Sequence, residues 1–340
     1  MVAAAGPDGL SIFETLGLAL LQLTSIGEEF VIVFFVVSGF SMAHSVGGTA
    51  GIRSFYTKRL VRIWPPYVIA VFLAFLICGA VAFLDPGDEM ARIFEIKYLS
   101  PTWLVAHLTY VDVWSPLTPQ FWSLPYEVMF YALSPLLLLN RSRVVQVAIS
   151  ATLLFIVGIL FYGLALNPAS SKVINFVTGG LFYFMCGSLL YYFRSYVPLI
   201  SLRTFVVVLG AGLLAAICIR YVVGYSSAPV NTLMVALTAL TIANLPKYQL
   251  NLGPFNFGFM SYSIYIFHYQ LIVAIKFAMG HFFGIEQFEI FNVFAWMIAI
   301  PPIMFVCWLL YLVSERPCNM HLSNIRKKQD GIALAVGKPA

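Results

Sequence analysis

Two polar side chains in an apolar stretch could carry acid–base chemistry. The stretch FWSLPYEVMFY places Glu127 about one turn inside a predicted membrane span. Tyr131 follows on the same helical face, where its phenol can donate a hydrogen bond to the carboxylate. An ionisable group inside a membrane is costly, so it is a functional-site hypothesis by default. The alternative is an interfacial glutamate that reaches water, with Trp122 and Tyr126 as ordinary aromatic-belt residues.

A second polar stripe lies in the stretch SYSIYIFHYQ. Ser261, Tyr265 and His268 recur there at helical spacing, so we expect the stripe to face the interior of a helix bundle. A base that takes the proton of a hydroxyl should titrate near neutral pH, and an imidazole meets that requirement. We expect His268 at a depth comparable to that of Glu127. The alternative is a histidine whose hydrogen bonds hold two helices together.

A basic cluster lies in the stretch SFYTKRLVRIWPPY. Lys58, Arg59 and Arg62 would form one patch if the stretch is helical. Guanidinium groups match phosphate oxygens in geometry and charge, which predicts a phosphorylated cytosolic ligand. The alternative is a basic anchor at the cytoplasmic face, with Pro65-Pro66 at the start of the next helix.

The stretch FFVVSGF joins an aromatic pair to Ser38 and Gly39 in the middle of a predicted span. Small residues allow two helix backbones to approach closely, and this packing explains the stretch without a catalytic or binding role. The alternative is an opening for a ligand. At the outer end of the same helix, Glu28 and Glu29 are predicted to be solvated at the surface.

The composition places all of these stretches in a membrane. Of 340 residues, 61% are hydrophobic, 16% aromatic and only 10% charged, which is more apolar than a soluble surface tolerates. Apolar runs near the roughly 20 residues that cross a bilayer recur along the chain. We predict an all-α polytopic membrane protein, a single bundle of about nine or ten transmembrane helices. The nine predicted spans are 29–45, 64–84, 123–140, 146–166, 174–193, 202–222, 230–246, 256–275 and 291–314, and a tenth candidate covers 10–26.

The predicted organisation is one membrane domain, residues 29–314. An irregular segment or incomplete first helix, 1–28, precedes it, and a short basic cytoplasmic tail, 315–340, follows. The orientation of the chain in the membrane explains the net charge of +5 more simply than a nucleic-acid partner does. The five cysteines lack CxxC spacing, so neither a disulfide framework nor a zinc site is expected. If the loop before residue 64 is cytoplasmic, strict alternation leaves only five of the 19 cations outside, Arg92, Lys97, Lys172, Arg220 and Lys276, and this bias predicts a cytoplasmic C-terminus.

In chain order, FFVVSGF, FYTKRLVRIWPPY, WSLPYEVMFY and SYSIYIFHY resemble the successive signatures of the acyltransferase 3 family of membrane acyltransferases. The resemblance covers residues 27–318. It implies an enzyme of the bacterial inner membrane that transfers an acyl group, commonly acetyl, from cytoplasmic acyl-CoA. The implied acceptor is a hydroxyl of a surface polysaccharide or glycolipid, with polysaccharide-synthesis proteins as further partners.

The resemblance also implies roles for individual residues. Arg59 and Arg62 match the basic motif that holds the CoA phosphates, and Glu315 and Pro317 resemble an acidic-proline element after the last span. Acyl-CoA is expected as a donor substrate, with no bound cofactor and no metal. The expected side chains are Lys58, Arg59, Arg62 and Ser38 for the donor, Trp122 and Tyr265 for the acceptor, and Glu127, Tyr131 and His268 for catalysis.

One departure from the family pattern lies at the beginning of the chain. Residues 1–27 contain neither the Arg nor the His that the family's first helix normally has. Three explanations are open: an N-terminally truncated form of a longer protein, which we favour; substitution by His268 or Glu127; or loss of catalysis. Two other functions also stay open. One is a transporter or flippase for an acylated or phosphorylated lipid, with a proton relay, and the other is an inactive membrane scaffold.

Overall fold

The described part of the chain is almost entirely helical. The computed structural model of the protein describes residues 27–47, 51–84, 100–111, 117–138, 141–165, 172–223, 228–248, 257–284 and 293–324. Within these ranges there is no β-strand. The prediction of an all-α fold is therefore confirmed.

The described helices are labelled in chain order. Three 3-10 turns accompany them, at Pro119–Ser123, Arg194–Tyr196 and Phe257–Met260. The α-helices are α1 (Gly27–Gly47), α2 (Ile52–Leu84), α3 (Pro101–Leu108), α4 (Leu124–Leu138), α5 (Arg143–Ala165), α6 (Lys172–Phe193), α7 (Leu202–Val223), α8 (Ala228–Tyr248), α9 (Ser261–Phe283), α10 (Val293–Val313) and α11 (315–324).

Seven stretches of the described chain are helical, long and apolar enough to cross a membrane. They comprise α1, α2, α5, α7, α8, α9 with its preceding 3-10 turn, and α10 with α11. Helices α4 and α6 overlap the two remaining predicted spans, so each of the nine predicted spans overlaps a described helix. Helix α3, with 8 residues, is about 12 Å long and too short to cross. The protein is therefore an integral membrane protein, and the tenth candidate span, 10–26, lies outside the described residues.

Helix α2 begins earlier than predicted. The Pro65-Pro66 pair was expected at the start of a helix, but α2 begins at Ile52 and contains both prolines. A proline has no N–H, so two intrahelical hydrogen bonds are missing at this point. Burial of Phe55 and Ile63 holds the preceding turns helical. Tertiary packing therefore outweighs the local proline signal.

The described helices form two compact units. The first unit comprises α1, α4 from Tyr126 onward, and α5 to α8. The second unit comprises α2, α3, the turn before α4, and α9 to α11. The chain passes from the first unit to the second after Ile52, returns at Tyr126, and enters the second again after Leu252.

In the first unit, α1 packs most extensively against α6. A Cβ atom at Gly39 would lie 2.0 Å from the carbonyl oxygen of Phe184. A Cβ atom at Gly187 would lie 2.0 Å from the carbonyl oxygen of Val36. Both distances are far below van der Waals contact, so only glycine permits this approach. The small residues of FFVVSGF therefore serve close helix packing.

In the second unit, α2, α3 and α9 share a buried apolar cluster. The hydroxyl of Tyr67 on α2 donates to the backbone oxygen of His107 on α3, at 2.7 Å. This bond holds the short helix α3 against α2. The cluster comprises Ala74, Cys78 and Val81 of α2, Trp103 of α3, Leu117, and Val273 and Phe277 of α9.

Candidate functional site

Glu127 and Tyr131 form a buried pair on α4, in the first unit. Glu127 lies in the first turn of the helix, and its side chain is only 4% exposed. The phenol of Tyr131 donates a hydrogen bond to Oε1 of Glu127. The predicted contact between these side chains is therefore present. A carboxylate as deeply buried as this one favours the site hypothesis over an interfacial residue that reaches water.

The residue before Glu127 fixes its position. The ring of Tyr126 packs edge-on against Phe35 of α1, with ring centroids 5.6 Å apart. On α6, Gly180 leaves space for the same ring, because a Cβ atom there would lie 2.2 Å from the ring. Tyr126 is thus held between α1 and α6, and this contact sets the register of the first turn of α4.

His268 is hydrogen-bonded to its own helix, α9, in the second unit. Its Nδ1 atom lies 2.9 Å from the carbonyl oxygens of both Ile264 and Tyr265. A carbonyl oxygen only accepts, so Nδ1 has the proton and the neutral ring has its lone pair on Nε2. These bonds stay within α9 and do not join it to another helix. The half-buried imidazole is therefore in the tautomer that can accept a proton at Nε2.

The hydroxyl of Tyr265 is hydrogen-bonded to the 3-10 turn that precedes α4. Its hydroxyl donates to the backbone oxygen of Gln120 at 2.5 Å and lies 2.5 Å from the hydroxyl of Ser123. Trp122, which is half-buried, lies in the same turn. Both predicted acceptor-binding residues, Trp122 and Tyr265, therefore belong to one hydrogen-bonded structure in the second unit.

Two buried glutamines in the second unit were not singled out from the sequence. The Nε2 atom of Gln120 donates to the backbone oxygen of Ile266 at 3.1 Å and to Oε1 of Gln270 at 3.3 Å. Gln270 is fully buried. The available signal was an amide side chain inside an apolar span, where polar groups hold helices together. The amide pair joins the 3-10 turn to α9 beside Tyr265.

Glu315 caps α9. The carboxylate is 3% exposed and accepts hydrogen bonds from the backbone nitrogen of Ser263 at 3.2 Å and from its hydroxyl at 2.7 Å. The first N–H groups of a helix have no partners within the helix, and the positive end of the helix dipole favours an anion. The acidic residue after the last predicted span therefore has a structural contact at the start of α9.

The basic cluster of α2 lies on a continuous helical turn. Lys58 and Arg59 are half-buried, and Arg62 is exposed. The guanidinium of Arg59 lies over the ring of Phe55, 5.7 Å from its centroid. The helical spacing that brings these cations to one side of α2 is therefore present, and Arg62 presents its donors at the surface.

The predicted site residues are distributed over both units. Glu127, Tyr131 and Ser38 belong to the first, and the other predicted residues belong to the second. Ser38 is buried next to Gly39, which fits the packing interpretation of this stretch. The assignment of Ser38 to the donor stays a prediction. Among the described residues, no group of three His, Cys, Asp or Glu side chains could hold a metal ion.

Glu29 is not solvated as predicted. It is 1% exposed and forms an ion pair with Arg220 of α7, which is also buried. Two opposite charges that pair directly can be buried together, whereas either one alone could not. The prediction for Glu29 was wrong because its partner is distant in the sequence. The side chain of Glu28 lies outside the described residues.

Comparison with known proteins identifies the family. A family model described as an acyltransferase domain matches residues 2–312. Acyltransferase MdmB of Streptomyces mycarofaciens is 31% identical over 133 residues, which cover 36% of this chain and 31% of that protein. An uncharacterized protein of Haemophilus influenzae is 28% identical over 134 residues, which cover 36% of this chain and 55% of that protein.

The chain thus aligns with about a third of the length of one relative and about half of the other. No solved structure matches significantly. The family model, by contrast, spans nearly the whole chain and includes all four quoted stretches. The resemblance inferred from those stretches is confirmed, and the chain belongs to the acyltransferase 3 family of membrane acyltransferases.

Proposed function

We propose that this protein is a membrane-embedded O-acyltransferase that moves an acyl group, acetyl in the leading case, from acyl-CoA to a hydroxyl of a surface polysaccharide or glycolipid. Family membership supports acyl transfer. The single observation that supports the acid–base step is the hydrogen bonding of His268, which keeps the proton on Nδ1 and the lone pair on Nε2.

The proposed donor site is the basic turn of α2. Lys58, Arg59 and Arg62 would bind the phosphates of acyl-CoA, because guanidinium and ammonium groups complement phosphate oxygens. The predicted orientation, in a bacterial inner membrane with a cytoplasmic C-terminus, gives this turn access to cytoplasmic acyl-CoA. The exposure of Arg62 supports this role.

In the proposed reaction, the acceptor hydroxyl oxygen attacks the carbonyl carbon of the thioester. The hydroxyl proton passes to Nε2 of His268 as the new C–O bond forms. The C–S bond then breaks, and the sulfur of CoA leaves with that proton. Trp122, in the same unit as His268, would offer an aromatic face to a sugar ring of the acceptor. The Glu127–Tyr131 pair of the first unit is proposed as a further part of the catalytic machinery and is tested separately.

The test is transfer of radiolabel from acetyl-CoA to envelope glycans in membranes that contain this chain. We expect His268→Ala to lower the transfer rate by about 100-fold or more, the usual contribution of a general base. Arg59→Ala/Arg62→Ala and Glu127→Gln should also lower it. The matched controls are His281→Ala on α9 and Arg53→Ala on α2, both at exposed positions.

The outcomes separate the proposed roles. Normal transfer by His268→Ala in an active chain would contradict the base assignment, and normal transfer by the arginine variant would contradict the donor site. No transfer by this chain from any short-chain acyl-CoA would contradict catalysis by this chain alone. Movement of a lipid substrate without label transfer would then indicate the transporter alternative.

A further inference from the structure

The 3-10 turn before α4 is hydrogen-bonded to α9 on both sides of Trp122. Two positions before the tryptophan, the side chain of Gln120 donates to a backbone oxygen of α9 at 3.1 Å and to Oε1 of Gln270 at 3.3 Å. One position after it, the hydroxyl of Ser123 lies 2.5 Å from that of Tyr265. All of these residues belong to the second unit. The residues that flank the tryptophan are therefore both fixed to α9.

The same segment of α9 holds the proposed base. The backbone oxygen of Tyr265 lies 2.9 Å from Nδ1 of His268, and the two ring centroids are 6.4 Å apart. Through its hydroxyl, Tyr265 also donates to the backbone oxygen of Gln120 at 2.5 Å. One residue thus contacts both the imidazole and the turn that contains Trp122. The position of this turn relative to the imidazole is therefore set within the second unit.

The two amides have only one compatible arrangement. An N–H group alone can donate to a backbone oxygen, so Nε2 of Gln120 faces the carbonyl of Ile266. The same atom donates to Gln270, which must therefore present its Oε1. Rotating either amide by half a turn would bring two donors or two acceptors together. The pair therefore fixes the side chain of Gln120 relative to α9.

Packing alone does not explain this amide pair. Both side chains are buried. Among the described residues, neither Oε1 of Gln120 nor Nε2 of Gln270 has a hydrogen-bond partner. A buried polar atom without a partner is destabilising, and two apolar side chains of similar size would fill the same space without that loss. What the amides add is a directional bond, which fixes one orientation of the turn.

We propose that Gln120 and Gln270 are positioning residues, and that their hydrogen bond holds Trp122 in the orientation that binds the acceptor. The role rests on the proposed function, in which Trp122 offers its ring to a sugar. A binding side chain must be held within about 0.5 Å of its productive position by surrounding packing and hydrogen bonds. Neither glutamine contacts the acceptor itself. Loss of the pair should therefore weaken acceptor binding and leave donor binding unchanged.

The test measures acceptor binding by the purified full chain and needs no catalysis. Incorporated fluorotryptophan labels all six tryptophans for fluorine NMR, and Trp122→Phe identifies the Trp122 signal. The probe is envelope polysaccharide from the producing cells. We expect Gln120→Met and Gln270→Met, which keep the side-chain volume, each to shift this signal and to weaken polysaccharide binding by about 3- to 10-fold, the effect of one neutral hydrogen bond. The double variant should bind as well as Gln120→Met, because both glutamines act through one bond.

Transfer kinetics provide a second readout. The methionine variants should raise KM for the polysaccharide by the same factor and leave KM for acetyl-CoA unchanged, whereas general destabilisation would not change one KM selectively. Tyr265→Phe removes another bond to the turn and keeps the ring, so it should act in the same direction. It replaces the methionine variants if they do not accumulate. The matched control is Tyr262→Phe, which removes a buried hydrogen bond from α9 to Ile63 and should leave polysaccharide binding unchanged.

The outcomes distinguish the positioning role from the proposed function. Polysaccharide binding that depends on the glutamines, in a chain that transfers no label, would support the positioning role and contradict catalysis. Equal binding by the wild type and the methionine variants would overturn the positioning role alone. A Trp122 signal that the polysaccharide does not shift in the wild type would overturn both roles of the turn. An equal rise of both KM values, or additive losses in the double variant, would also overturn the positioning role.

Discussion

The hydrogen bond from Tyr131 to Glu127 is the contact whose loss should affect activity most selectively. Tyr131→Phe keeps the buried ring and removes the donor. We expect label transfer to fall about tenfold or more, because a hydrogen bond to a charged group contributes about 1.5–3 kcal/mol. Initial rates of transfer in membranes with equal amounts of protein would measure this effect.

Ser134→Ala is the matched control for that substitution. Ser134 is buried one turn further along α4, and its hydroxyl donates to the backbone oxygen of Phe130 at 2.7 Å. This bond is internal to the helix, so its removal should leave transfer unchanged. A wild-type rate in Tyr131→Phe would show that the pair has no part in the reaction.

The buried ion pair between Glu29 and Arg220 predicts a stability effect. Glu29→Leu alone should destabilise the protein by about 3–5 kcal/mol, because it leaves a buried charge without a partner. Glu29→Leu/Arg220→Met removes both charges and should recover most of that loss. Thermal unfolding in detergent would compare the variants. A double variant as unstable as the single one would mean that shape, and not charge, is the cause.

Sequence separation decides which contacts could be predicted. Tyr131 is one helical turn from Glu127, so spacing alone indicated their contact. Arg220 is 191 residues from Glu29, and Gln270 is 150 residues from Gln120. No local pattern indicates such pairs, because they form only when distant helices pack together. The buried carboxylate of Glu29 was therefore mistaken for a surface group.

At the scale of helices, the apolar runs predicted the elements better than their ends. The membrane thickness fixes the length of an apolar run, so all nine predicted spans overlap described helices. The predicted start of α2 was based on the proline pair. The burial of Phe55 and Ile63 overrides this local signal, and the helix begins earlier. The local sequence likewise could not predict that Glu315 caps α9.

The contact between α1 and α6 predicts a strong effect of one added methyl group. Gly39→Ala would place Cβ against the backbone of Phe184, and no side-chain rotation can relieve that clash. We expect a loss of about 1–3 kcal/mol in the free energy of unfolding, as for other overpacked interiors. Thermal unfolding at equal detergent concentration would measure it.

Gly210→Ala on α7 is the control for Gly39→Ala. A Cβ atom at Gly210 would have no neighbour within 4 Å. Alanine favours a helix over glycine by up to about 1 kcal/mol, so this variant should be as stable as the wild type or more stable. Equal losses in both variants would contradict the close-packing explanation.

At the scale of the whole molecule, composition predicted the class of protein but not its internal division. A hydropathy pattern shows which segments enter the membrane, because that depends on each segment alone. It does not show which helices become neighbours. The first unit combines residues 1–52 with 126–252, and the second combines the remaining segments. This interleaving follows from side-chain packing between helices far apart in the chain.

The orientation predicted from the basic residues can be tested within each unit. In a background without the five native cysteines, single cysteines would replace the exposed residues Ser201 and Pro229 in the first unit, and Ser261 and His281 in the second. Because Lys and Arg favour the cytoplasmic side, we expect a membrane-impermeant maleimide to label Pro229→Cys and His281→Cys on intact spheroplasts. Ser201→Cys and Ser261→Cys should react only after permeabilisation. The reverse pattern would place the basic turn of α2 on the outside, away from cytoplasmic acyl-CoA, and would exclude the proposed donor site even if the fold and the family are unchanged.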